Sequence, residues 1–108
     1  MSNKKRTISK ELTTSMSDVY VVPSAFKADV SSIVVANNTN APVRVTIRWN
    51  DGVVSSVLFG AVSVSPNTTI QMTQPLFLDK TQKIEAVASV GSAITVSVRV
   101  EEIFAERL

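Results

Sequence analysis

The sequence contains no cysteine and no histidine among its 108 residues. Without cysteine the chain has neither disulfides nor thiolate ligands for a metal. Without histidine it lacks the usual general base, the Ser-His-Asp and Cys-His nucleophile systems, and a common zinc and copper ligand. An enzyme is therefore the least expected class of function. We expect no catalytic residues, no cofactor and no metal site.

Glycine, aromatic residues and net charge are also scarce. There are three glycines, aromatic residues make up 6% of the chain, and the formal net charge is +2. So small a charge does not indicate wholesale nucleic-acid binding. No apolar run follows the basic start as in a signal peptide, and none is long enough to span a membrane. We therefore expect no nucleic acid, membrane or small-molecule substrate as partner, and production in a cytoplasm.

Valine is abundant, with eighteen copies in a chain that is 44% hydrophobic. Valine and isoleucine lose side-chain freedom in helices and pack well on pleated sheets. Apolar and polar residues alternate in 43–49 and 94–101, which is the pattern of half-buried strands. Further strands are predicted at 19–22, 32–36, 53–59, 61–65, 69–74 and 84–90. No helix longer than a turn is expected.

Turn-forming residues separate the predicted strands. Asn50-Asp51-Gly52 predicts a hairpin, and Gly91-Ser92 predicts another between the last two strands. The first could also begin a calcium loop, but no acidic ligand follows it at the required spacing. Seven or eight short strands in this order predict an antiparallel β-sandwich, with a small barrel as the alternative.

The alternation also separates a core from outer faces. The residues predicted to be mostly buried are Ile33, Val35, Val43, Val45, Ile47, Trp49, Ile84, Ala86, Ala88, Ile94, Val96 and Val98. On the opposite faces lie Arg44, Arg48 and Arg99, which form a positive stripe if their strands are sheet neighbours. Such a stripe would either meet an acidic partner or blunt the sheet against edge pairing.

The remaining chemical groups suggest no reaction. Nothing places two carboxylates together in a pocket, as a glycosidase requires; the acids near strands are Asp79, Glu85, Glu101 and Glu102. Some aromatic residues at strand ends or in loops are candidate interface anchors: Tyr20, Phe26, Phe59 and Phe77.

Residues 1–17 differ in composition from the rest. Four cations stand against one acid, Glu11, which gives this segment a charge of +3. Its apolar surface is too small to offset the entropy of ordering it alone. We therefore expect an extended arm that docks on another chain, with Lys4, Lys5, Arg6 or Lys10 meeting acidic groups there. Expected acceptors on a neighbouring copy are Glu101, Glu102 and Glu106.

The predicted organisation is thus an arm (1–17), a sandwich domain (18–104) and a C-terminal tail (105–108). Several stretches of the domain resemble small virion proteins of tailed bacteriophages. The resemblance lies in a Tyr-Val-x-Pro strand start, an Asn-rich turn after the next strand, the third strand, a proline turn, and the segment before the penultimate strand. These are 19–24, 30–37, 42–47, 64–70 and 76–86.

The resemblance implies a multi-copy, non-enzymatic structural protein with an immunoglobulin-like sandwich, used for capsid decoration or in the neck or tail. Its implied partners are other virion proteins and copies of itself, and its implied location is a virion assembled in a bacterial cytoplasm. Two other classes stay open. A carbohydrate- or host-surface-binding module would need an exposed aromatic platform, and a nucleic-acid-binding barrel would need aromatics interleaved with basic residues.

Overall fold

The computed structural model describes residues 4–73 and 76–104, and no helix occurs in these ranges. The described chain forms nine strands: β1 (Lys4–Glu11), β2 (Ser17–Val21), β3 (Phe26–Asn37), β4 (Val43–Asn50), β5 (Ser55–Val64), β6 (Thr69–Met72), β7 (Leu76–Leu78), β8 (Lys83–Ala88) and β9 (Ile94–Phe104). They build a five-stranded sheet in the order β1-β9-β3-β6, with β7 also pairing β3, and a four-stranded sheet in the order β2-β8-β4-β5. The prediction of an all-β fold with two antiparallel sheets is confirmed.

The strand pairs are nested. Strand β4 pairs with β5, β3 with both β6 and β7, β2 with β8, and β1 with β9, all antiparallel. A long hairpin of nested strand pairs that rolls up into two sheets is a jelly roll. Here the rolling pairs β9 with β3 in one sheet and β8 with β4 in the other. The predicted immunoglobulin-like topology is wrong, because that fold keeps its first two strands in one sheet. Here β1 and β2 lie in different sheets.

The core fills the space between the two sheets. All the residues predicted for it are buried except Trp49, which is half-buried and packs against the others. The core also takes in residues the alternation did not point to, among them Leu12, Val30 and Leu78, each no more than 2% exposed. Apart from Tyr20, the fully buried core is aliphatic.

The turn predictions have different outcomes. The Asn50-Asp51-Gly52 hairpin is confirmed, since it joins the paired strands β4 and β5. Gly52 has a φ of 96°, a backbone conformation that glycine adopts without strain. The second predicted hairpin is wrong, because Gly91-Ser92 leads from β8 in one sheet to β9 in the other.

Strand β5 is one strand where two were predicted. The register between β4 and β5 shifts twice, between Val45 and Ile47 and again between Ile47 and Arg48. Ala61 lies within the first irregularity and has a φ of 51°. The chain therefore continues through Gly60 as a bulged strand instead of ending there.

The described residues 4–17 do not stand apart from the domain as the predicted arm. Strand β1 pairs with β9 over its whole length, from Lys4 opposite Glu102 to Glu11 opposite Thr95. Leu12 follows and is 0% exposed, and its N–H donates to the carbonyl of Ile94 at 2.8 Å. Backbone pairing with β9 and the burial of Leu12 therefore stabilise this segment, whose polar sequence has little apolar surface of its own. The predicted tail, 105–108, and the predicted acceptor Glu106 lie outside the described residues.

Candidate interaction surfaces

The buried carboxylate of Glu102 lies on the side of the sandwich where β1 and β2 are the sheet edges. It is 1% exposed and accepts hydrogen bonds from the Tyr20 hydroxyl at 2.7 Å and from Arg6 Nη1 at 2.9 and 3.1 Å. Burial and the bond to Glu102 raise the pKa of Tyr20, so its hydroxyl stays protonated and donates. Glu102 was predicted as an acceptor on a neighbouring copy, but Arg6 reaches it within one chain. The contact joins β1, β2 and β9 across both sheets.

Two other cations of the predicted arm also have contacts within the chain. Lys10 Nζ donates to the carbonyl oxygen of Asp18 at 2.8 Å. Lys4 Nζ lies 5.9 Å from the centre of the Phe26 ring, within the range of a cation–π contact. Lys5 is exposed and lines a groove on the outer face of the five-stranded sheet. We call the lateral side formed by β1 and β2 the charged side.

The three outer-face arginines do not form one stripe. Arg44 and Arg48 lie on β4 in the four-stranded sheet, whereas Arg99 lies on β9 in the five-stranded sheet. The predicted positive stripe is therefore wrong. All three side chains nevertheless lie on the sheet faces that point away from the core. Arg44 and Arg99 are exposed and Arg48 is half-buried.

An ion-pair network crosses the outer face of the four-stranded sheet. Arg48 Nη2 lies 3.6 Å from Glu85 Oε1, and Lys83 Nζ lies 3.4 Å from Glu85 Oε2 and 3.0 Å from Asp18 Oδ1. The hydrogen bond and charge of Asp18 raise the pKa of Lys83. The Lys83–Asp18 pair is partly exposed, and such pairs contribute only about 0–1 kcal/mol, whereas Glu85 is buried and is shared between Arg48 and Lys83. The network therefore mainly balances charge on this face.

A shallow groove of about 440 Å³ lies on the outer face of the five-stranded sheet. In the register of the sheet, Lys5 stands opposite Glu101 and Glu101 stands opposite Asp29. Arg99 also lines the groove. Because cations and carboxylates alternate there, the groove suits a mixed polar surface better than a ligand of one charge sign.

The described residues hold no cluster of three or more acids, histidines or cysteines that could bind a metal ion. Asp51, the first residue of the calcium loop that was considered, accepts hydrogen bonds from the N–H groups of Val53 and Val54 at 2.9 and 2.8 Å. These hydrogen bonds lower the pKa of Asp51. Their pattern is that of a turn. Within the described part of the chain, no helix is suited to cross a membrane.

The three strands on the lateral side opposite the charged side carry no charged residue. The sequence has none between Asp51 and Asp79, and this stretch contains β5, β6 and β7. Strand β5 is the edge of the four-stranded sheet, and β6 and β7 are the edge of the five-stranded sheet. We call this the uncharged side. The uncharged stretch is visible in the sequence, but the strand order is needed to show that β5, β6 and β7 lie on one side of the sandwich.

Exposed apolar side chains are concentrated on the uncharged side. Val53 is 92% exposed, Val57 60% and Phe77 72%, and Val54 and Val62 are also exposed. Of the predicted aromatic anchors, only Phe77 is exposed; Tyr20 is buried, and Phe26 and Phe59 are half-buried. Val57 lies across from Arg48 on the outer face of the four-stranded sheet, and Phe77 lies across from Asp29 on the outer face of the five-stranded sheet.

Comparison with known proteins gives likeness of fold only. No family model matches the sequence, and no curated protein matches it. A chain of the acid-stable capsid of Helicobacter pylori bacteriophage KHP30 superimposes with a TM-score of 0.56 at 11% identity, covering 94% of this chain and 87% of that one. A chain of the Bacillus endospore appendages, which are disulfide-linked pili, gives 0.54 at 14% identity, covering 96% and 87%.

A pentameric capsid protein from metagenomic phage sequences gives a TM-score of 0.43 at 15% identity, covering 91% of this chain and 60% of that one. The two better matches cover nearly all of this chain. The jelly-roll sandwich described above is therefore a known fold, found in a capsid and in a pilus.

Proposed function

We propose that this protein is a non-enzymatic structural subunit of a virion that assembles with further copies of itself. The observation that carries the proposal is the likeness in fold to the KHP30 capsid chain over 94% of this chain. The resemblance of the sequence to small virion proteins of tailed bacteriophages supports the same conclusion. The absence of histidine and cysteine from the sequence supports a role without chemistry.

The pilus neighbour favours a different assembly. Its subunits are joined by disulfides, and this chain has no cysteine to form one. These 108 residues therefore cannot form a disulfide-linked fibre, but they can assemble through packing and charged contacts. This difference favours a virion over a pilus of that type.

Within the virion we propose a multi-copy accessory role, in capsid decoration or in the neck or tail. The polar groove with Lys5 and Arg99 is the proposed contact for other virion proteins, because these cations remain exposed. Arg44 is a second such cation on the other sheet. Lys4, Arg6 and Lys10 are not proposed for this role, since their contacts within the chain are described above.

A carbohydrate-binding module has no observation in its favour. Sugar recognition by a flat surface needs a platform of exposed aromatic rings, and Phe77 is the one aromatic that is exposed in the described residues. Trp49 packs against the core.

The proposal is tested on particles. Virus particles purified on a density gradient from the lysate in which this protein is made should contain it in many copies, detected by quantitative mass spectrometry. The variant Lys5→Glu/Arg99→Glu should reduce its copy number, whereas Lys10→Gln should not. Absence of the protein from the particle fraction, with recovery in the soluble fraction, would contradict a virion role.

A further inference from the structure

We propose that the Asp51-Gly52 sequence is a latent site of isoaspartate formation, which the native turn between β4 and β5 holds unreactive through its own hydrogen bonds. The inference concerns a covalent modification of this chain and is independent of the proposed function. Asp51 is the one acid in the sequence that is followed by glycine. Both residues are exposed, so water reaches the site.

The reaction needs only the chain itself and water. The backbone nitrogen of Gly52 attacks the side-chain Cγ of Asp51, an N–Cγ bond forms, and the carboxyl hydroxyl leaves as water together with the amide proton. The product is a five-membered succinimide ring. Hydrolysis adds one water to either ring carbonyl and gives aspartate again or isoaspartate, in which the main chain runs through the side-chain carbons. Glycine favours ring closure, because it has no Cβ beside the attacking nitrogen.

Each reacting group of the folded turn has another hydrogen-bond partner. The Gly52 N–H donates to Asn50 Oδ1 at 2.8 Å. Asp51 Oδ1 accepts from the N–H groups of Val53 and Val54 at 2.9 and 2.8 Å. The backbone N–H of Asp51 also donates to the carbonyl oxygen of Val54 at 3.1 Å. The nitrogen and the Cγ atom are thus held by different partners, and ring closure requires the turn to open.

The charge of Asp51 adds to this protection. The N–H groups of Val54 and Val53 lower its pKa, because hydrogen bonds to a carboxylate favour the charged form. An ionised carboxylate resists attack by a nucleophile better than a neutral carboxyl group does. Packing does not shield the site: within the described chain, only Gly52 and its two chain neighbours have atoms within 4 Å of where a Cβ on Gly52 would be. The protection therefore comes from the turn itself.

Isoaspartate at position 51 would change the end of the hairpin. The main chain gains one carbon atom there, and the free carboxylate is then attached to Cα instead of to the side chain. The native bonds from Val53 and Val54 to Asp51 Oδ1 are lost. Asn50 stands opposite Ser55 where the hairpin closes, so the change falls at the start of β5.

The test follows isoaspartate in the full chain kept for weeks at neutral pH, either folded or in guanidinium chloride. Mass spectrometry with electron-transfer fragmentation locates it in the tryptic peptide that begins at Trp49. The same peptide contains Asp79, which lysine follows, as an internal control. In the denatured chain isoaspartate should form at position 51 at least about tenfold faster, because no hydrogen bonds of the turn have to break first. Asp79 should stay unmodified in both samples.

Two matched variants test the turn in the folded chain, and circular dichroism should show both folded. Asn50→Ala frees the Gly52 N–H and should raise the rate at Asp51 about two- to tenfold, the effect of one lost hydrogen bond. Asn40→Ala removes an asparagine from another exposed turn, where Asn40 Oδ1 accepts from Asn67 Nδ2 at 3.0 Å, and should leave the rate unchanged. Equal rates in the folded and denatured wild type, or in the two variants, would overturn the inference.

Discussion

The two lateral sides of the sandwich treat their open sheet edges in different ways. On the charged side, β1 brings cations to the edge, and Arg6 closes it by binding the buried Glu102, which Tyr20 also binds. On the uncharged side, β5 to β7 carry no charge and leave valines and Phe77 exposed. On the first side Arg6, Tyr20 and Glu102 satisfy one another within the chain, whereas the second side leaves apolar side chains exposed. Under the proposed function, the first side serves folding and the second is available for assembly.

The largest expected effect is on the charged side. Removal of residues 1–12 deletes β1 and Leu12 and leaves Glu102 without Arg6, so we expect most of the free energy of unfolding to be lost. Truncation of one buried leucine to alanine costs about 2–5 kcal/mol by itself. Urea denaturation followed by circular dichroism measures the change.

The matched change on the uncharged side is Val53→Ser/Val54→Ser. Both residues are exposed, so the free energy of unfolding of the monomer should change by no more than about 0.5 kcal/mol. A truncated protein as stable as this double variant would contradict the division between the two sides.

The next effect concerns the single contact that closes the charged side. Arg6→Met removes the hydrogen bonds to a carboxylate that is 1% exposed. Because the Arg6 side chain is itself 49% exposed, we expect a loss of about 1–3 kcal/mol, below that of a fully buried pair. Lys5→Met is the control on the adjacent, outward-facing residue and should change stability by about 0.5 kcal/mol or less. Equal losses in the two variants would show that the ion pair contributes nothing specific.

A smaller effect is expected at the hairpin end of the uncharged side. Gly52 and Gly91 both have open space where a Cβ would be, but only Gly52 has a positive φ, 96°. Gly52→Ala should therefore lower the free energy of unfolding by about 1 kcal/mol, while Gly91→Ala should be neutral or slightly stabilising. Thermal unfolding of the two variants separates backbone strain from the loss of glycine as such.

The smallest expected effect is on pH dependence. The N–H groups of Val54 and Val53 lower the pKa of Asp51 in the folded state. Its contribution to stability is therefore present above the unfolded pKa and is lost as the pH falls through the folded pKa. Asp51→Asn should make the melting temperature less sensitive to acid below about pH 4. Identical acid profiles for the variant and the wild type would contradict this role.

The strands that were predicted well are those with a strict alternation. In β4 and in residues 94–100 of β9 each apolar residue faces the core, so the period alone identified these strands. Strand β1 escaped detection because Ile8 is its only apolar residue that packs against the core, and its stability comes from β9 and Leu12. The short strand β7 pairs with β3 over three residues only, from Leu76 to Leu78, too few to show a period.

Topology could not be read from local sequence. The residues at Gly91-Ser92 indicate a reversal of the chain, but not whether the chain returns to the same sheet, and here it crosses to the other. The same limit explains the arginines, whose outward orientation was predicted while their distribution over two sheets was not. The uncharged stretch between Asp51 and Asp79 is visible in the sequence, yet only the pairing order makes it one side of a sandwich.

Amide hydrogen exchange of the dilute and the assembled protein tests the division between the two sides most directly. Peptides that cover β5, β6 and β7 should exchange more slowly after assembly, because those edges are then covered. Peptides that cover β1 and β2 should exchange equally in both states, since their hydrogen bonds are already made within the chain. Slower exchange confined to β1 or β2, with no change in β5 to β7, would contradict the account.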